Sequence, residues 1–194
     1  MPNRPGMKKS ETEQYYVSGA GLPIQRLASA EFQIRRATTQ DADMIAWHRA
    51  RMFQDMGDVQ GDAFEILRAK ASVRLKEWIN TGKYVGWVAT PADEPQTIVA
   101  GAGVQLQRIL PRPLDRSTIG EGLQGTIVNV FTEPPWRRRG IARLLIEQII
   151  IWSEHQGIDR LILHASKEGR SIYQKLGFVS SNEMRFVADS SLRD

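Results

Sequence analysis

An α/β domain with one mixed sheet and helices on both faces is the fold this sequence predicts, on three observations. Segments of two-residue and 3.6-residue hydrophobic period succeed one another in the order β, α, α, β, β, β, α, β, α, β between residues 32 and 188. The stretch 141–155 is apolar on most faces, with a polar stripe at Arg143, Glu147 and Glu154, as in a helix buried against a sheet. A chain of 194 residues with 41% hydrophobic content and no internal repeat suits one ordinary core.

Residues 1–30 mix Pro, Gly, Ser and charge without sustained periodicity, which predicts a tail or arm and leaves 31–194 as the domain. Phe32, Ile34 and the alternation through Arg36 predict a first strand. Thr38 with Asp41 three residues later is a helix start of capping-box type, and the helix runs to about Met56. Met44, His48, Met52 and Met56 recur at intervals of four along it, until Gly57-Asp58 breaks the pattern. A second helix over 62–80 is lined by Phe64, Leu67, Ala71, Leu75 and Trp78. The β-rich runs 84–89 and 98–106 predict a hairpin, and the Pro- and Gly-containing stretch 108–125 predicts a loop. A strand over 126–132, the helix 141–155, a strand over 160–164, a helix over 167–176 closed by Gly177 and a strand over 184–188 complete the order.

Composition excludes several kinds of chemistry. There is no cysteine, hence no disulfide, thiolate nucleophile or cysteine–zinc site, and His48, His155 and His164 lack metal-ligand spacing, so no metal is expected. The net charge of +4 comes from 26 basic against 22 acidic residues dispersed along the chain, without the wide basic stripe and interleaved aromatics of a nucleic-acid surface. No apolar run approaches the ~18 residues that span a bilayer, and residues 1–10 are polar where a signal peptide is hydrophobic, so no membrane partner and a cytoplasmic location are expected.

The most informative segment is Arg137-Arg138-Arg139-Gly140-Ile141-Ala142, which follows the apolar run 127–131 and opens the long helix. A strand, a basic glycine turn and a helix in that order form an anion site: glycine lets backbone approach the ligand, and the first helical N–H groups point at it. Arginines add counter-charge. Alone, an arginine triplet is more often a solvated loop; the flanking elements favour the phosphate reading.

Arg137, Gly140 and Ala142 fill the fixed positions of a Q/R-x-x-G-x-G/A pattern, and Tyr173 through Leu176-Gly177-Phe178 stands about thirty residues further on. In these two motifs, and in element order over 32–188, the chain resembles the GNAT acyltransferase superfamily. The resemblance implies a central, mostly antiparallel twisted sheet, splayed at the cofactor site, in a single domain. It implies acetyl-CoA as co-substrate, with the pyrophosphate on the amides of Arg138, Arg139, Gly140, Ile141 and Ala142, Arg137 beside them, and the pantetheine arm along main-chain groups of Val130, Phe131 and Thr132. Tyr173 matches the tyrosine that protonates the departing thiolate in many members. The family's asparagine seven residues before that tyrosine is Ser166 here, whose hydroxyl can still bond to the pantetheine arm.

The predicted activity is N-acetyl transfer from acetyl-CoA to a primary amine by direct attack in a ternary complex; a non-catalytic acyl-CoA sensor is the alternative. An amine is mostly protonated at neutral pH and needs a base. Glu133, just after the thioester strand, is the candidate, against an exposed turn charge as its plainer reading. His48 reads as a core histidine, and His164 either faces the cleft or caps its strand. The acceptor surface is expected from the first two helices, the loop 108–125 and the hairpin, with Phe53, Asp55 and Met56 near it and a solvated helix end as the plainer account of Asp55. A homodimer is left open. Gly120-Glu121-Gly122-Leu123-Gln124-Gly125 spells a dinucleotide motif but precedes β-branched Thr126-Ile127-Val128 instead of a helix, which argues against that reading.

Overall fold

Strand β1 (Phe32–Arg36) alternates buried and exposed residues, the pattern of a strand with one face on a core. It belongs to a computed structural model that describes residues 31–184 and Phe186. The expected arm over 1–30, and Arg185, Val187 and Ala188 of the expected last strand, lie outside the described residues; Met184 and Phe186 carry no regular structure. The chain falls into two compact units, one ending at Leu163 and one beginning at His164.

In the first unit, β1, β2 (Tyr84–Pro91), β3 (Ala100–Arg108), β6 (Leu123–Thr132) and β7 (Arg160–Leu163) form a five-stranded sheet in the order β1-β2-β3-β6-β7. Its pairs are antiparallel except β6 with β7, which run parallel. The β2–β3 hairpin stands as expected. Between β3 and β6, β4 (Arg112–Pro113) pairs antiparallel with β5 (Ile119–Gly120) in a separate two-stranded ladder.

Helix α1 (Ala42–Asp55) starts where the sequence marks it: Thr38 caps the preceding 3₁₀ turn, and the Asp41 carboxylate accepts from the Thr38 N–H at 2.8 Å. Arg35 from β1 also grips Asp41, through Nη1 at 2.9 Å and Nη2 at 2.8 Å. Ala42, Ile45 and Ala46 of α1 meet Ala71 and Leu75 of α2 (Asp62–Asn80) over Tyr84 and Val88 of β2. Trp87, one residue from Val88 and therefore on the other face of the strand, meets Trp152 of α3 (Ile141–His155) edge-on at 5.3 Å. The two faces of the sheet thus take different helices. On α3 the buried residues Ile141, Leu145, Ile146 and Ile149 form the stripe, and Arg143 pairs with Glu147 at 2.7 Å on the outside.

Two expectations are corrected. The methionine series on α1 is not its core face: Met44 and Met56 are exposed, and of the four residues only His48 is buried. Steps of four advance about 40° beyond a full turn each, so a run of three leaves the face where it began. The loop 108–125 is shorter than expected, because β6 begins at Leu123. The Asp159 carboxylate accepts from the N–H groups of Gly122 at 2.6 Å and Leu123 at 3.1 Å, and Ile109 N–H donates to the Gly122 carbonyl at 2.7 Å. The glycines of the dinucleotide-like motif therefore lie in a turn and two strands.

The hydrogen bonds from Arg35 and Thr38 hold the Asp41 carboxyl below the usual aspartate pKa. A lowered carboxylate pKa adds stability that is present above the unfolded value, ~3.9, and is lost as pH falls through the folded one. Asp41→Asn is expected to cost about 1–2 kcal/mol in urea unfolding at pH 7, with the difference from wild type shrinking below about pH 4. A difference that does not depend on pH would contradict this.

Candidate active site

Pairing along β6 changes half-way. Gln124 to Ile127 are matched on one side by β3 and on the other by Arg160 to Leu163 of β7. From Val128 onward only β3 pairs with it among the described residues. At the change the β3–β6 register slips, with Gly103 opposite Val128 and Gly101 opposite Phe131, and Asn129 takes a left-handed φ of 58°. This is a bulge of one extra residue. Asparagine tolerates the left-handed region better than the valines around it.

Above the bulge the ladder resumes, and Glu133 N–H donates to the Val99 carbonyl at 2.9 Å. Alternation then turns the main chain of Phe131 toward β3 and that of Thr132 away, toward the open edge. The Thr132 carbonyl there accepts from Arg137 Nε at 2.9 Å. Val130 and Thr132 are half-buried, whereas the Phe131 ring is buried, 5.1 Å from the His48 ring and 5.4 Å beneath the Arg137 guanidinium.

The strand leads through a 3₁₀ turn, Pro134–Trp136, into the basic segment, where the three arginines do different things. Arg137 also reaches the Asp55 carboxylate at the end of α1, at 2.5 Å. Asp55 is thus the tie between helix α1 and the turn, an arrangement its sequence reading as a solvated helix end did not contain. Arg139 stacks on Trp136 at 4.9 Å. Arg138 is exposed and has no ion-pair partner among the described residues. Its φ is +64° and that of Gly140 is +82°, and a Cβ built on Gly140 would meet nothing within 4 Å. Gly140 is the N-cap of α3 and supplies no side-chain cap; the Leu144 N–H donates to its carbonyl at 3.1 Å, so the N–H groups of Ile141, Ala142 and Arg143 precede the first intrahelical bond. Open backbone, unspent N–H donors, the positive end of the helix dipole and a free guanidinium make a cradle that suits a pyrophosphate.

Glu133, 26% exposed by side chain, brings Oε1 to 3.3 Å from His48 Nε2. The angle is not that of a hydrogen bond, and both ring nitrogens of His48 lack a partner among the described residues. His48 is 1% exposed, and burial pushes its pKa down to about 4, so the ring is neutral at pH 7 and the contact is not an ion pair. Gly101 lies against the ring: a Cβ there would be in ordinary van der Waals contact with Nδ1, at 3.6 Å.

The same face holds a group of residues that the sequence reading passed over. Arg49 of α1 donates to Asn129 Oδ1 at 2.7 Å, and Asn129 Nδ2 lies 3.5 Å from the Tyr84 hydroxyl. Tyr84 is buried, with its pKa pushed up to about 12 by desolvation. Two signals pointed there: a polar Asn129 amid β-branched residues, and the in-strand glycines Gly86 and Gly103, which pair in register.

In the second unit, helix α4 (Arg170–Lys175) is shorter than the 167–176 expected. Ser166 Oγ accepts from Gly169 N–H at 3.1 Å. Tyr173 packs edge-on against Phe178 with ring centroids 6.0 Å apart, and burial raises its phenol pKa. Gly177, φ +91°, closes the helix, and Phe178 N–H donates to the Tyr173 carbonyl at 3.0 Å. His164 is exposed.

A family model for the acetyltransferase (GNAT) domain matches residues 117–192, from before β6 to beyond Phe178. That stretch of the chain is similar to the GNAT acetyltransferase domain. The mixed sheet with helices on both faces agrees with the fold of the solved acetyltransferases the chain is similar to. The chain is 24% identical over 120 residues to an uncharacterized N-acetyltransferase, ycf52, of Pyropia yezoensis, which covers 58% of this chain and 69% of that protein. The fold is similar to that of a GCN5-related N-acetyltransferase from Ralstonia eutropha JMP134, with TM-score 0.70, 24% identity and coverage of 81% of this chain and 98% of the other. A predicted acetyltransferase with acetyl-CoA from Clostridium acetobutylicum is similar to the same degree, with TM-score 0.70, 24% identity and coverage of 81% and 96%. No helix among the described residues is long and apolar enough to cross a membrane.

A histidine pKa that is lowered on folding adds stability above its unfolded value, ~6.5, and that stability is lost as pH falls through the folded value. For His48, at about 4, the loss between pH 6.5 and 4 is on the order of 3 kcal/mol. Urea titrations are expected to show this slope in wild type and a flatter one in His48→Leu. Parallel slopes would contradict the buried neutral ring.

Proposed function

We propose that the protein transfers an acetyl group from acetyl-CoA to a primary amine by direct attack in a ternary complex. One observation carries the reading. The open edge of β6 beyond Val128 runs directly into a helix N-terminus whose first N–H groups are uncapped and whose turn is shaped by positive φ at Arg138 and Gly140. An extended chain with a doubly charged end fits that pair of features. The acetyl-CoA named with the Clostridium acetobutylicum protein supports the same donor.

Acetyl-CoA supplies an acyl group already activated as a thioester. The amides from Arg138 to Ala142 would receive its pyrophosphate, with the Arg138 side chain as counter-charge and Arg139 flanking. Arg137 would act chiefly by holding the turn against Thr132 and Asp55. Val130 and Thr132 would pair with the pantetheine arm through main-chain groups on the open edge, and an N–H of this edge would polarise the carbonyl as negative charge develops on its oxygen. The main chain of Phe131 turns toward β3, so its part would be the ring that floors the strand. Ser166 would contact the pantetheine arm.

Glu133 would take the proton of the acceptor amine, directly or through one water, and its partial exposure suits a base that must be reached from solvent. Tyr173 would give its phenolic proton to the thiolate as the C–S bond breaks. A phenol is protonated at neutral pH, so its O–H is available to the thiolate as negative charge grows on sulfur.

Thiol release from acetyl-CoA, scanned over an amine panel, tests the reading. Tyr173→Phe is expected to lower kcat roughly a hundredfold or more with KM for acetyl-CoA little changed. Gly140→Glu is expected to raise that KM about tenfold or more, by filling the cradle with a side chain and a negative charge. Failure of acetyl-CoA to bind wild type would overturn the assignment, and binding without turnover on any amine would favour the acyl-CoA sensor.

A further inference from the structure

We propose that the cavity between α1, α2 and the β2–β3–β6 face binds a compact oxyanion carried by the acceptor, a carboxylate or a phosphate, with Arg49 as its principal contact. This rests on the acetyl-transfer reading above and narrows its acceptor to small amines that bear an acid group. The cavity has a volume of about 180 Å³, and its walls include Arg49, Arg74, Trp78, Tyr84, Gln105 and Asn129. No aspartate or glutamate lines it.

Of the two arginines on the cavity wall, Arg49 and Arg74, only Arg74 has a carboxylate within ion-pair distance among the described residues. Arg35, Arg68, Arg74, Arg137 and Arg143 each lie within ion-pair distance of a carboxylate, and the side chains of these five are 41% to 64% exposed. Arg49 is half-buried and has no carboxylate within that distance among the described residues. It donates one hydrogen bond, to the neutral Asn129 amide at 2.7 Å, and its face lies on the Phe53 ring at 4.9 Å. A guanidinium has five N–H donors and stays charged in proteins. Taking it out of water without a counter-charge is costly, and an anion arriving in the cavity would remove that cost.

The surrounding groups suit the same ligand. Asn129 spends its carbonyl on Arg49 and thereby aims the guanidinium, while the Tyr84 hydroxyl accepts from Asn129 Nδ2 at 3.5 Å and keeps its own proton for another acceptor. Burial keeps that phenol protonated. Its position is built in: the Tyr84 ring crosses the register pair Gly86 and Gly103, and a Cβ on Gly103 would fall 2.1 Å from the hydroxyl oxygen. Arg74 also lines the cavity, stacked on Trp78 at 5.4 Å, but its charge is shared with Glu77 at 3.6 Å.

Size and placement set the acceptor class. The cavity is smaller than the ~300–1,000 Å³ of drug-sized pockets, which suits an acid group with few carbons. Asn129 precedes Phe131 by two residues, about 7 Å along a strand, so an anion on Arg49 leaves an amine a few bonds away beside the open edge of β6.

Direct titration calorimetry on the full chain tests this with β-alanine against β-alaninamide and phosphoethanolamine against ethanolamine, for wild type, Arg49→Gln and Arg49→Lys, with thermal melts to verify folding. At least one acid is expected to bind roughly ten- to a hundredfold more tightly than its neutral counterpart, and the pair showing it identifies carboxylate or phosphate. Arg49→Gln should erase the preference and Arg49→Lys keep part of it, since charge survives but the fork does not. Equal binding within both pairs, no binding of either acid, or a preference that survives Arg49→Gln overturns the proposal. A parallel coenzyme A titration separates the two readings. Coenzyme A bound without acid preference removes the anion site alone, whereas acid preference without coenzyme A binding upholds it and removes acetyl transfer.

Discussion

Strand β6 cannot keep two neighbours along its whole length, because β7 stops at Leu163, opposite Ile127, while β3 continues to pair as far as Thr132. A main-chain group that turns from a partner to open space must find another, and the upper half of the strand is therefore an edge in the middle of a sheet. Arg137 takes the Thr132 carbonyl, and in doing so fixes where the glycine turn begins. The ion pair of that same arginine with Asp55 extends the constraint to the end of α1. Edge, turn and helix N-terminus are thus set by one strand and one guanidinium.

The bulge at Asn129 divides the labour of that strand. Below it, β6 is ordinary sheet; at it, a polar side chain enters the helix face and orients Arg49; above it, the open edge faces the proposed acetyl donor. The sheet thins on that face through Gly86 and Gly103, which leave room for Tyr84. Two buried polar rings lie where aliphatic side chains would make a more stable core. Burial drives both toward neutrality, His48 by lowering its pKa and Tyr84 by raising it. Stability is given up here next to the strand where chemistry is proposed, a common trade at functional sites.

Local signals were legible and distant ones were not. The Thr38–Asp41 cap, the bounds of α3 and the glycine turn each rest on interactions within a few residues, and each can be read from adjacent letters. The start of β6 at Leu123 depends on the Asp159 carboxylate, 36 residues away, which no local pattern announces. The core face of α1, with Ala42, Ile45, Ala46 and Ala50 buried, is not marked by the four-residue recurrence of Met44, His48, Met52 and Met56. Arg49 was invisible for another reason: one arginine on a helix reads as solvated until a strand 80 residues later brings Asn129 against it.

In the proposed complex an anionic, extended ligand lies along the upper edge of β6 and ends on the amides of the glycine turn. Backbone amide shifts in a ¹H–¹⁵N spectrum, followed during titration with desulfo-coenzyme A, test it most directly. Saturable perturbations are expected, centred on Val130, Thr132 and the amides from Arg138 to Ala142, with β1 unaffected. Shifts confined to other elements, or none at saturating ligand, would contradict it.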